Sequence, residues 1–238
     1  MNIFISLYNE VLYIPLFNGL VWLYITLPWH DMGLAIVVFT VIIRLILAPL
    51  LWKAQKSQKD WAKLQPEIKK IQAEFKNNRE AQGRATMELS AKHKVNPFSG
   101  CLIMLVQFPI LIALFQLFRK GFDPSQLQYL YSFISSPGAL EPISFGFLNL
   151  AKGNIYLGVM AALTQYFQTK MTFIEPAAAI GGKNDFSKIL RWQTLYFFPA
   201  LILFWSATMP SALTLYWTIL NIVGILQEIV MRKFKGGK

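Results

Sequence analysis

Five apolar stretches, at 32–52, 98–118, 154–174, 192–209 and 211–231, are each near the length a helix needs to cross about 30 Å of hydrocarbon. A chain carrying them has little choice but to live in lipid. With 55% hydrophobic and only 15% charged residues, the composition also departs from that of an ordinary soluble domain. The reading is an all-α integral membrane protein with five transmembrane helices, an amino-terminal interfacial helix and a cytoplasmic helical hairpin. The single cysteine, Cys101, excludes an internal disulfide, and two histidines leave little material for a metal site. No cofactor or metal is expected.

A further apolar stretch, residues 3–27, is interrupted by Asn9, Glu10, Pro15 and Asn18. Such a segment suits the membrane interface, so residues 1–30 are read as an amphipathic segment on the outer side, with Trp22 and Tyr24 in the aromatic belt. A cleaved signal peptide is the competing reading, but the basic n-region is missing.

Charge orients the spans. Residues 1–43 contain no Lys or Arg, whereas residues 53–94 contain eleven. By the positive-inside rule the amino end lies outside, and residues 175–191 and the basic tail 232–238 lie in the cytoplasm. The segments left outside hold only Arg119, Lys120 and Lys152. The lysines of 53–94 are interleaved with Asp60, Glu67, Glu74, Glu80 and Glu88, which fits lipid headgroups better than nucleic acid. No DNA partner is expected.

Within 53–96, Trp61, Leu64, Ile68, Ile71 and Phe75 recur at spacings of three and four, forming one apolar stripe on a helix. Asn77, Asn78 and Gly83 offer turn chemistry before a second helical stretch that runs to Lys94. This predicts an antiparallel hairpin. Its stripe either packs on the hairpin itself and on headgroups or meets incoming apolar polypeptide.

Four strings carry a family resemblance: LQPE at 64–67, KHKVNPFSGC at 92–101, QFPI at 107–110 and PSALTLYWTILN at 210–221. Over about residues 31–231 the chain resembles the YidC membrane protein insertases and their Oxa-type and Albino-type relatives. The resemblance implies a five-helix core at 31–238, a cytoplasmic hairpin after its first helix, and a hydrophilic groove open to cytosol and lipid but closed outside. It implies an insertase and chaperone in membrane protein biogenesis, with nascent membrane proteins and the lipid bilayer as partners. The Sec translocon, the signal-recognition receptor and the ribosome are candidate partners. The larger bacterial members have an extra amino-terminal span with a periplasmic domain, and a long basic tail. Neither is expected here, and ribosome docking rests on Arg232, Lys233, Lys235 and Lys238 alone. The compact chain without a transit peptide is read as a bacterial plasma membrane protein.

Arg44 is the only charged residue in 32–52. At helical rise it lies roughly 16 Å below the outer end of its span, with Gln165 about as deep and Asn221 at about 15 Å. Gln107 also falls near mid-depth. Gln165 and Gln168 share one helix face, and Thr214, Trp217, Thr218 and Asn221 share another. Such groups often serve only as interhelical hydrogen-bonding glue. Around a central cation, however, they outline a candidate substrate groove of Arg44, Gln107, Gln165, Gln168, Thr214, Trp217, Thr218 and Asn221. Snorkelling does not explain Arg44, because the inner end at Trp52 is about 12 Å away. Nor do the acids: Glu228 lies near the inner end of the last span, and Glu175 and Asp185 are cytoplasmic. Water and polar neighbours in a cavity remain the expected partners.

Pro49, Pro109 and Pro199 interrupt three helices and offer ways to splay the groove toward lipid. The tight joint at Met209, Pro210 and Ser211 offers a way to thin the bilayer. A small-solute transporter or channel is the alternative function, disfavoured because the spans show no internal repeat. An enzyme is not expected: His30 and His93 lie outside the spans, and Cys101 has no adjacent histidine.

Overall fold

The computed structural model describes residues 3–76, 78–96, 99–120, 123–172 and 189–235. The chain is mostly helical: α1 (Ile3–Tyr8), α2 (Ile14–Thr26), α3 (Met32–Lys63), α4 (Gln65–Glu74), α5 (Arg79–Lys92), α6 (Ser99–Lys120), α7 (Ile155–Thr172), α8 (Phe198–Ser206) and α9 (Ser211–Lys235). Among the described residues, two segments, Met32–Lys63 and Ser211–Lys233, are long and apolar enough to cross a membrane.

π-Helical turns at Asn9–Tyr13 and Gln193–Phe197 end two residues before Pro15 and Pro199. Proline has no N–H to give the carbonyl four residues back, so the preceding turn widens. The Ile14 and Phe198 amides then bond five residues back, to Asn9 and Gln193. The amino-terminal helix therefore continues through its polar interruptions rather than ending at them. Phe17, Leu20 and Val21 pack in one core cluster with Ile36, Phe39, Leu114 and Leu117. Trp22 is exposed, whereas Tyr24 is buried in that core. The expectation for Tyr24 was wrong because the same helix face that carries it packs on protein.

α3 continues eleven residues beyond Trp52, to Lys63. The stripe expected on one helix is thus divided between α3 and α4 at Leu64. Pro66 sits at the start of α4, where its missing N–H costs nothing. Asn78 caps α5 by accepting from the Ala81 amide at 3.0 Å. Gly83 lies inside α5 and not in the turn, because this cap already starts the helix four residues earlier. Asn77 lies outside the described residues.

Residues 123–154 staple one set of helix ends together. Asp31 caps α3 by accepting from the Leu34 amide at 2.8 Å. Its carboxylate also accepts from Ser144 Oγ and, at 2.6 Å, from the Phe145 amide in the β1 (Ile143–Ser144) and β2 (Leu148–Asn149) hairpin. Ser144 Oγ in turn accepts from the Gly33 amide. Gly33 allows this approach, since a Cβ there would collide with Ser144 and the Phe145 ring. Burial pushes the Asp31 carboxyl up, but these hydrogen bonds outweigh it and leave the group below its ordinary value of 3.8. Loop carbonyls of Lys152 and Leu150 accept from the first amides of α9, and the Asn154 side chain caps α7. Buried Asn18 adds a last tie, donating to Tyr129 O and accepting from the Tyr131 amide.

Candidate functional site

α9 is the hub of the candidate site because α3, α6 and α7 all direct polar groups at it. Arg44 on α3 is 6% exposed, and its Nη2 donates to Leu220 O at 3.3 Å. Its Nε has no hydrogen-bond partner among the described residues. Gly224, one turn beyond Leu220, makes room for this arrangement. A Cβ at that position would lie 2.5 Å from Gln168 Nε2 and 3.3 Å from Arg44 Nη2. Gln168 and Arg44 are therefore seated side by side against the same bare stretch of helix.

The remaining residues expected in the groove divide into two kinds. Gln107 on α6 donates to the Tyr216 hydroxyl at 2.7 Å, and Trp217 Nε1 donates to Gln165 Oε1 at 2.9 Å. Asn221 Nδ2 reaches Ala161 O at 3.4 Å and Thr164 Oγ1 at 3.3 Å. These bonds join α9 to α6 and α7. Thr218 instead returns its hydroxyl to Thr214 O within α9, and Thr214 is buried. Apart from Gln168, whose amide nitrogen lies by Gly224, these residues point to helix neighbours, while Arg44 Nε is a buried donor with no partner among the described residues.

Lys59, Glu228 and Arg232 close the opposite end of the bundle. Glu228 is fully buried and accepts from Lys59 Nζ at 2.7 and 2.8 Å and from Arg232 Nε at 2.8 Å. Arg232 also donates to Met171 O at 2.8 Å, so the cluster ties α3, α9 and the end of α7. Glu228 is thus committed to cations other than Arg44. The i, i+4 spacing of Glu228 and Arg232 was a readable signal; the contribution of Lys59, from another helix, was not. Tyr216 and Gly224 were missed for a different reason, since an apolar helix gives no cue to which of its residues meets a polar partner. Glu175 and Asp185 lie outside the described residues.

In the hairpin, Trp61, Leu64 and Ile68 form a buried cluster with Leu89 and Val95 packed against it. Ile71 and Phe75 keep part of their surface exposed. Of the expected stripe, those two have apolar area left to offer.

A profile of the 60Kd inner membrane protein family matches residues 22–238. The membrane protein insertase YidC of Fusobacterium nucleatum is 32% identical over 203 residues, covering 85% of this chain and 87% of the relative. The chain belongs to the YidC family. Leptospira interrogans YidC (serovar Lai) is 31% identical over 236 residues, covering 96% of this chain and 36% of its own. The crystal structure of an active YidC insertase with its first transmembrane domain resolved superposes with a TM-score of 0.57 at 28% identity. It covers 94% of this chain and 46% of the solved one. The chain therefore spans less than half of the Leptospira and crystallised YidC proteins, but most of the Fusobacterium one.

Proposed function

We propose that this chain is a membrane protein insertase that accepts polar segments of nascent membrane proteins at Arg44 and releases their apolar spans into lipid. The observation that carries the mechanism is a buried guanidinium with one carbonyl partner and no carboxylate among the described residues. A charge held this way at mid-bilayer costs several kcal/mol by most scales. An incoming acidic side chain would offset that cost with a charge-assisted, bidentate hydrogen bond.

In this reading the chain crosses the membrane five times, at 32–52, 98–118, 154–174, 192–209 and 211–231, with the amino end outside and the carboxyl end in the cytoplasm. Residues 1–30 lie on the outer side, and 53–96 form a cytoplasmic hairpin. The groove of Arg44, Gln107, Gln165, Gln168, Thr214, Trp217, Thr218 and Asn221 hydrates when α3 and α7 part from α9. A polar segment then exchanges bulk water for groove water and Arg44, and moves outward as its apolar neighbour partitions into lipid. Transfer of roughly twenty apolar residues drives that step. The membrane potential adds about 2.3 kcal/mol per acidic charge per 100 mV. Ile71 and Phe75 on the hairpin offer a first apolar contact to the arriving chain.

The test is insertion of a single-span substrate with an acidic external segment into vesicles containing the purified chain. Arg44→Ala should insert it poorly, and Arg44→Lys should retain part of the activity. Equal insertion by wild type and Arg44→Ala would rule out a required charge. Cysteines at 165, 168 and 221 should label from the cytosolic side; protection of all three would remove the hydrated groove.

A further inference from the structure

On α3, Arg44, Leu51, Gln55 and Lys59 follow i, i+7, i+11 and i+15, and on α9, Leu220, Gly224, Gln227 and Glu228 follow i, i+4, i+7 and i+8. Each set lies along one side of its helix. The two sides are pinned at both ends, by Arg44 against Leu220 O at 3.3 Å and by Lys59 against Glu228 at 2.7 Å. Gln55 and Gln227 fall between these pins.

Gln55 Oε1 and both Gln227 amide atoms are shielded from solvent and have no hydrogen-bond partner among the described residues, as is true of Arg44 Nε. Each such group costs about 1–3 kcal/mol if nothing satisfies it. Gln107, Gln165 and Asn221 all have partners. Among the described residues the orphaned atoms fall in two groups: Arg44, Gln55 and Gln227 along the seam from Arg44 to the Lys59–Glu228 pair, and Trp61 Nε1 and Gln82 Oε1 beyond it.

The free groups are two acceptors and one donor on neutral amides. A carboxylate offers only acceptors and leaves the two acceptors here unmatched. A peptide backbone offers N–H and C=O together and matches all three. We propose that Gln55 and Gln227 form a second subsite, on the Glu228 side of Arg44, that hydrogen-bonds the backbone of an extended incoming polypeptide whatever its charge. This rests on the insertase reading and adds a step to it: the backbone is held at the glutamines before an acidic side chain meets Arg44.

The full chain carrying C101S and one cysteine, at position 55, 227 or the outward-facing 222, would be reconstituted with a single-span substrate. That substrate carries one cysteine and no Asp or Glu in its external segment. Disulfide capture should be several-fold stronger at 55 and 227 than at 222. Separately, the Gln55→Leu/Gln227→Leu double variant should lose about three- to tenfold in insertion of substrates with and without acids, the scale of one or two lost hydrogen bonds. Arg44→Ala should lose only the acidic one. A purely structural role would lower the thermal midpoint of the double variant, whereas removal of unpaired amides should leave it equal or higher. Wild-type insertion of the acid-free substrate by the double variant, or capture no stronger than at 222, overturns the subsite and leaves ordered water as its occupant. A wild-type chain that inserts neither substrate fails as an insertase, a result the variants cannot mimic.

Discussion

The two ends of the helix bundle treat their polar groups in opposite ways. At one end, Asp31, Ser144, Asn18 and the first amides of α9 are bonded through residues 123–154. Further along, Arg44, Gln55 and Gln227 each keep a buried polar atom without a partner among the described residues, while Lys59 and Arg232 are locked onto Glu228. A satisfied network holds one arrangement, while an under-bonded one gains from opening or from a ligand. The end held by residues 123–154 is therefore the clamp, and the seam behind it is the less fully bonded part.

Breaking each end separately sharpens this contrast. The largest expected effect is Glu228→Ala, which strands two cations around a fully buried position. Because Lys59 and Arg232 keep some access to solvent, the loss should be about 3 kcal/mol, the low end for breaking a buried ion pair, to be read as a lowered unfolding midpoint in detergent. Asn18→Leu comes next: it leaves Tyr129 O and the Tyr131 amide unpaired, a loss of about 1–3 kcal/mol. Insertion per folded molecule should stay at the wild-type level, because the clamp only has to hold.

Gly224→Ala should do the reverse. The added methyl displaces Gln168 from beside Arg44, so insertion of acidic substrates should fall severalfold for a stability loss near ~1 kcal/mol. The smallest effect is the acid response of the clamp at Asp31. Because Asp31 titrates below its ordinary 3.8 when folded, its stabilisation is fully present above that value and fades as pH falls through the folded one. Asp31→Asn should flatten the decline in thermal midpoint below about pH 4; an unchanged slope would sever Asp31 from the clamp.

Much of the fold was legible because lipid leaves few options. A long apolar run in lipid favours a helix, and α3, α6, α7 and α9 each cover one of the apolar stretches, α3 overrunning its own by eleven residues. Local steric rules were less fully read. Pro15 and Pro199 signal interruption, yet the chain absorbs each with a widened turn instead of ending the helix. The hairpin stripe was visible as a period, but which of its residues face Leu89 and Val95 depends on the turn at Leu64.

The site divides along the same line. Arg44 announces itself, because a lone charge in an apolar run is anomalous whatever surrounds it. Gly224 and Tyr216 are ordinary residues of a membrane helix until α3, α6 and α7 come to rest against them. Composition and period thus determined the medium, the helices and the unpaired cation, all of which depend on residues close in sequence. Which polar groups are satisfied, and which wait at the seam between α3 and α9, depends on atoms some 170 residues apart. Only the packed bundle could decide that.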